Sequence, residues 1–337
     1  MCGRQGQKKN PGRLGGQPGR TRNRLSPESC LITRFYRDGP SKGKSNMSNV
    51  LSVEDQISVI HHLVEGTSIR SISRVTGIHK RTITKLLVRF GNACKEFLDR
   101  QMRGLELNHL ECDEQWTFVR KKQGKLQPHE QDNPKIGDQY LWIALDMETK
   151  LIPTFIVGKR SADNARRFMV DLANRIALPT PTDTGERDGI IPQISTDGFN
   201  AYPEAVDLAF GSYCRYGQII KDYRNADQPG RYGPPELVGT DRREIFGSIN
   251  LDTICTSHVE RVNLTTRTLM KRFTRLSLCF SKKLENLAAA VAIYVAYYNF
   301  CWMHGSLNGT PAMAAKVASH PWSIQELYEK VMATVEA

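Results

Sequence analysis

The hydrophobic period of this chain changes at Leu110, and that change restricts the fold more than any other feature of the sequence. Upstream, apolar residues return at steps of three and four, as along one face of a helix. Downstream they come in short runs bounded by turn residues. Residues 110–120 read as a strand, with Cys112, Glu114, Trp116 and Phe118 on one side and Asp113, Thr117 and Val119 on the other. Residues 139–146 and 151–157 read as two further strands joined through Met147-Glu148-Thr149-Lys150 as a hairpin turn. A helix follows over 161–176, with Ala165, Phe168, Met169 and Leu172 inward, then a strand over 190–195 that runs into Thr196-Asp197-Gly198. A helix over 202–210 and a strand over 213–220 follow, and a helix over 257–271 closes the series.

The order is β-β-β-α-β-α-β-α. A three-stranded meander followed by alternating elements predicts an α/β fold of ribonuclease-H-like architecture, a mixed sheet flanked by helices, over residues 108–300. Residues 221–256, with Gly230, Gly233, Pro234, Pro235 and Gly239, break the alternation and read as a long loop or small insertion. Residues 284–299 form an apolar helix rich in Ala, Val and Tyr, too short and too polar at its ends to cross a membrane. Pro311 opens a last helical region, in which 322–335 is amphipathic, so 301–337 reads as a helical tail.

Residues 47–107 predict an all-α helix-turn-helix domain. Ser52 and Asp55 make a helix start. Ile57, Ile60, Leu63 and Val64 then repeat at helical spacing, and Glu65-Gly66-Thr67 ends that helix. A short second helix over 68–75 turns Ile69, Ile72 and Val75 inward, Thr76-Gly77 is the tight turn, and a third helix spans 79–90, after which residues 92–109 continue helically. Its outward positions, His79, Lys80, Arg81, Thr82, Lys85 and Arg89, suit a recognition helix reaching base edges in double-stranded DNA. A small packing unit with a cationic surface is the plainer reading of the same pattern.

Charge supports a polyanionic partner but is unevenly spread. Of the net +12, a surplus of nine lies in residues 1–50, where eleven Lys and Arg face only Glu28 and Asp38. Residues 1–46, rich in Arg, Lys, Gly, Pro and Ser, lack the apolar periodicity of a folded segment and read as a disordered basic arm or a spurious extension ahead of Met47. The stretch has no apolar core of a secretory signal. None of the eight cysteines forms a C-x-x-C pair, and several lie in apolar runs, as reduced thiols of a cytoplasmic protein do. Three Cys/His pairs stand three apart (His109 with Cys112, Cys255 with His258, Cys301 with His304), but no four-ligand zinc pattern links them.

The stretch 257–271 reads as a helix with Glu260, Asn263, Arg267 and Lys271 on one stripe and Val262, Leu269, Phe273 and Leu276 on another. One carboxylate followed by cations is usually a solvated face; two upstream aspartates change its meaning. In the expected sheet the first and fourth strands are neighbours, so Asp113 and Asp197 meet there and the late helix brings Glu260 against them. Three carboxylates suit two hard divalent cations, Mg²⁺ or Mn²⁺, acting on a phosphodiester. Asp146, Asp222 and Asp252 compete as ligands, and Asp146 ranks lower because it borders a hairpin turn.

Cys112-Asp113-Glu114-Gln115-Trp116, Ser195-Thr196-Asp197-Gly198 and Val259-Glu260-Arg261-Val262-Asn263 with Arg267 resemble the three catalytic blocks of bacterial insertion-sequence DDE transposases of the IS-one family. Arg272-Phe273-Thr274-Arg275-Leu276, Phe280-Ser281-Lys282-Lys283, Tyr298-Asn299-Phe300 and Thr310-Pro311-Ala312 are also similar to that family. The resemblance implies a Mg²⁺-dependent DNA transposase in which Asp113, Asp197 and Glu260 hold the metals. It further implies that the helix-turn-helix binds the terminal inverted repeats and that Arg261, Asn263, Arg267 and Lys271 position the cleaved strand. Target DNA, a homodimer or larger homo-oligomer and a cytoplasmic, nucleoid-associated location follow from the same resemblance. The chain departs from the family in lacking an N-terminal zinc finger and in carrying Trp302 where many members have Arg before the late His304. Two other readings stand beside it: a catalytically silent, transposase-derived DNA-binding regulator, and a ribonuclease-H-like nuclease.

Overall fold

The computed structural model describes residues 51–181, 187–224, 236–274 and 277–336. The basic arm expected over 1–46, Met47, Leu276 and the centre of the expected 221–256 loop lie outside them.

Three helices open the described chain: α1 (Val53–Val64), α2 (Ile69–Thr76) and α3 (Lys80–Gln101). Ser52 accepts from the Asp55 N–H and Ser68 from the Ser71 N–H, so each of the first two helices begins on a hydroxyl cap. Gly77 ends α2 in the left-handed region at φ +73°. Val75, expected inward, is instead 71% exposed, and Ile72 carries the buried contact of α2. The third helix runs on past residue 90, as expected, but ends at Gln101 rather than near 109. It continues for 22 residues because Phe90, Ala93, Cys94, Phe97 and Leu98 extend its apolar stripe.

The sheet comprises β1 (His109–Val119), β2 (Gly137–Asp146), β3 (Phe155–Gly158), β6 (Gln193–Asp197), β7 (Arg215–Arg224) and β8 (Glu236–Phe246), in the order β3-β2-β1-β6-β7-β8. A separate two-stranded ladder pairs β4 (Thr180–Pro181) with β5 (Arg187–Asp188). β1 runs antiparallel to β2 and parallel to β6, and β6 runs parallel to β7. Two expectations change here. The third strand begins at Phe155 rather than 151, because Ile152 is held by a side chain: Asn299 donates to its carbonyl and accepts from its N–H. The interruption expected over 221–256 is in large part strand, since β7 runs on to Arg224 and β8 pairs antiparallel with it as a sixth strand.

Helices α4 (Ala162–Ala173) and α5 (Tyr202–Phe210) cover one face, where Trp142 packs among Phe168, Phe199 and Tyr202. α6 (Ser257–Leu269) and α7 (Leu284–Phe300) lie on the other face, joined by a hydrogen bond between Thr266 and Tyr294. α7 is apolar nearly all round because it is enclosed on nearly all sides. α8 (Pro311–Ala314) and α9 (Ile324–Glu336) close the chain.

The boundaries expected at 107/108 and 300/301 are not breaks in packing, because the chain from Leu51 onward forms one unit. Gly91 of α3 lies against the backbone of Ala289 in α7, where a Cβ would come within 2.6 Å of the Ala289 Cα. Phe90 stacks on Tyr328 of α9, and Phe97 meets Phe300 and Trp322. Gly66, between α1 and α2, has φ +70° and abuts the last carbonyls of α6. Both conformation and space at that turn require glycine.

Candidate active site

β1 and β6 pair side by side up to Cys112 and Thr196, so the next residue on each strand, Asp113 and Asp197, stands at the carboxyl end of the parallel pair. The carboxylates of Asp113, Glu114 and Asp197 offer oxygens all within 4.8 Å of one another. Asp113 directs one oxygen to the Glu114 N–H at 2.8 Å and the other to the Asn263 amide at 2.6 Å. Asp197 accepts from the Phe199 N–H at 3.0 Å and from Arg160 at 2.9 Å. The same Arg160 donates to Glu114 at 2.9 Å, and its guanidinium lies 4.2 Å over the Phe199 ring. Tyr202 donates its hydroxyl to the other oxygen of Glu114.

Crowded, half-enclosed carboxyls hold their protons tightly. Burial, then repulsion from Asp197, pushes Asp113 up to about 6. The same two causes push Glu114 up to about 7, against the pull of Tyr202 and Arg160. Glu260 adds to the repulsion at Asp113 but lies outside the close group. Its own carboxylate is turned to the Lys221 ammonium and to the Thr256 hydroxyl at 2.8 Å. The structure thus brings two of the three expected carboxylates together, sets the third beside them under a lysine, and adds Glu114.

What holds α6 in place is a row of alternating residues on one side of β1. Glu111 is 2% exposed and accepts from the N–H groups of His258 and Val259, both at 2.9 Å, and its other oxygen lies 2.7 Å from His258 Nδ1. Thr256, at the N-cap position, makes no capping bond with its side chain, so Glu111 does that work from another strand. Two residues on, Asp113 accepts from Asn263. Two further, Gln115 donates to the Asn263 carbonyl at 2.7 Å, and then Thr117 donates to the Arg272 carbonyl at 2.9 Å. Asn263, expected on the DNA-facing stripe, is a buried member of this row. The cluster of Glu111, Cys255 and His258 has the residue types of a metal site, but its carboxylate is spent on the helix end.

The cationic stripe is shorter than the sequence implies. α6 ends at Leu269, and Lys271 lies in a following 3₁₀ turn, because Met270 leaves helical backbone and is buried together with Phe273. Arg261 and Lys271 are exposed and Arg267 is half-buried. On α3, Lys80, Arg81 and Lys85 are exposed and Thr82 is half-buried. His79 accepts from the Arg81 N–H as the N-cap of α3, and Arg89 donates to the buried Gln56 of α1. Of the competing acids, Asp146 is buried and caps its turn through Thr149, while Asp222 and Asp252 are exposed elsewhere. Cys94, Cys112 and Cys214 are buried free thiols, as expected.

No protein-family model matches this chain. Its sequence is similar to insertion element iso-IS1n protein InsB of Shigella dysenteriae, with 25% identity over 190 residues that span 56% of this chain and 95% of that protein. A cryo-EM structure of a piggyBac transposase synaptic complex with hairpin DNA aligns with 88% of this chain and 76% of that one, at 13% identity and a TM-score of 0.32, too slight a likeness to carry an argument. No described helix is long and apolar enough to cross a membrane.

Proposed function

We propose that this chain is a DDE transposase of the IS-one kind, which binds the ends of an insertion sequence and catalyses strand cleavage and strand transfer. The observation that carries the reading is the meeting of Asp113 and Asp197 just past the last paired residues of the parallel strands β1 and β6, with the Glu260 helix docked on β1 beside them. The strand order supports a ribonuclease-H-like core, with β8 as an addition at its edge. The similarity to an insertion-element protein along nearly its whole length supports the same reading.

The donor set fits hard divalent cations: carboxylate oxygens only, in a group crowded enough to push Asp113 and Glu114 upward. Asp113, Asp197 and Glu260 would hold them. When bound, two such cations, Mg²⁺ or Mn²⁺, lower the pKa of the attacking water or hydroxyl and stabilise the leaving oxygen of a phosphodiester. The chain's own residues do the rest. Asn263 and the Glu114 N–H fix the rotamer of Asp113, and Phe199 N–H does so for Asp197. Arg160 and Lys221 neutralise the carboxylates and stand ready to pair with phosphate. Arg261, Arg267 and Lys271 lie along the path of the strand, about two helical turns separating Arg267 from Glu260. α1–α3 act as a helix-turn-helix on duplex DNA, through Lys80, Arg81, Thr82 and Lys85. His79 and Arg89 are committed to the helix start and to Gln56. Joining two ends in concert calls for at least two copies of the chain.

The test uses oligonucleotides carrying the inverted repeats that flank the gene. Asp113→Ala, Asp197→Ala and Glu260→Ala should each abolish metal-dependent cleavage and transfer while leaving end binding within a few fold. Strand transfer by Asp197→Ala would overturn the assignment. End binding with no cleavage by the wild type in Mg²⁺ or Mn²⁺ would favour a silent regulator instead.

A further inference from the structure

Beyond Glu114 the side of β1 covered by α4 and α5 loses its cover. Trp116 and Phe118, the next two residues on that side, are half-buried and belong to neither hydrophobic core. They lie against each other with centroids 5.8 Å apart, and Phe280, from the segment before α7, stacks on Phe118 at 4.8 Å. That segment runs beside the end of β1, where Arg120 N–H donates to the Ser281 carbonyl at 2.8 Å. Leu278, on the same segment, is 93% exposed. The exposed Lys122 holds its ammonium 5.5 Å from the Trp116 centroid. Three aromatic rings thus form an open ledge continuous with the carboxylate group, edged by a cation. Trp116 stands two strand residues from Glu114, about 7 Å along β1, roughly one nucleotide's reach.

We infer that this ledge binds an unpaired nucleobase of the strand being cut. Aromatic faces accept any base by stacking, and a neighbouring cation holds the phosphate that accompanies it. A protein partner would be served equally by the apolar rings, but Lys122 and the adjoining Lys282 and Lys283 favour a polyanion. Seating one base beside Glu114 would unstack it from the duplex and bring its phosphate to Asp113 and Asp197. The inference rests on the proposed function and adds a site to it.

The experiment measures the full chain's affinity, in chelator, for a labelled oligothymidylate and for a duplex of equal length. Trp116→Ala and Phe118→Ala should each weaken single-strand binding by roughly 5- to 100-fold, the range for one stacked base, with duplex binding within about twofold. Trp116→Phe should retain most of the single-strand affinity. Unchanged single-strand binding, or equal loss on both substrates, would overturn the inference. So would loss of self-association in sedimentation with single-strand binding intact, which would make the ledge a contact between copies. Because the assay needs no cleavage, a chain that binds the single strand through Trp116 yet never cuts would retain the ledge and refute only the catalytic reading.

Discussion

Replacing Glu111 by Ala tests whether β1 positions the helix that carries Glu260. The carboxylate is buried and accepts from two backbone N–H groups at 2.9 Å and from His258 at 2.7 Å. Loss of a helix cap costs about 1–2 kcal/mol. A second buried donor left without a partner adds about 1–3 kcal/mol. Removal of a negative charge from a helix N-terminus adds up to about 1 kcal/mol more. The total for Glu111→Ala is roughly 2–6 kcal/mol, which at about 2 °C per kcal/mol for a unit of this size corresponds to a fall in melting temperature of about 4–12 °C. Glu111→Gln keeps the shape and one acceptor oxygen, so its loss should be about 1–2 kcal/mol. Thermal unfolding of the metal-free chain measures both, and Mn²⁺ titration provides a second readout, since a tilted α6 carries Glu260 and Asn263 away from Asp113. A loss below ~1 kcal/mol for Glu111→Ala would refute the argument, because the N-terminal N–H groups of α6 would then have other partners.

Three further outcomes follow from the geometry. Asp113 and Glu114 have folded pKa values of about 6 and about 7, both raised, so their charging destabilises the metal-free fold as pH rises from about 4 through 7; Glu114→Gln should remove the Glu114 share of that loss, becoming more stable than wild type by up to ~3 kcal/mol at pH 8 and matching it near pH 4, while the share of Asp113 remains. Gly91→Ala drives a Cβ into the Ala289 carbonyl oxygen and should cost about 2–3 kcal/mol by forcing α3 and α7 apart, read as a shift in denaturant midpoint. Arg267→Ala should leave duplex end binding within a few fold but slow single-turnover cleavage of pre-bound ends at least tenfold, and an unchanged rate would return Arg267 to a structural role.

Much of the sheet was legible because its strands and helices differ in period. The element order along β1, β2, α4, β6, α5 and β7 followed from alternation against helical spacing, and the limits of α5 coincide with the expected 202–210. The end of α6 was not legible: the run to Lys271 keeps helical spacing, and only the burial of Met270 and Phe273 in a turned chain shows that the helix stops earlier. β8 was hidden because its residues are exposed on both sides and carry no apolar alternation. In the candidate site, Asp113 within the first strand and Asp197 just past the fourth were legible because neighbouring strands of the expected sheet would bring them together. Glu114 was read only as a strand residue, although Asp113-Glu114 already places two acids at one bend of the site. Glu111 and Gln115 had a signal too: with Asp113 and Thr117 they repeat at steps of two on the α6 side of β1, a polar stripe where a buried strand should be apolar. Arg160 and Lys221 had none, since nothing local in the sequence tells which cations will be folded against a carboxylate.

The length of α3 turns the chain into a measuring device. At about 1.5 Å per residue, its 22 residues span roughly 33 Å, close to one turn of B-DNA. Its first turns expose Lys80, Arg81 and Lys85, while its middle and far half are clamped against α7 and α9 through Phe90, Gly91 and Phe97. If the chain acts as proposed, a rod fixed along its second half leaves no slack between the sequence that is read and the bond that is cut. Under the proposed function, the number of base pairs from recognised sequence to cleavage site is then written into the helix itself. Inserting about five base pairs between them, half a turn, should silence cleavage on a site still bound, and inserting about ten should restore it at most weakly, because the rod keeps angle and distance together.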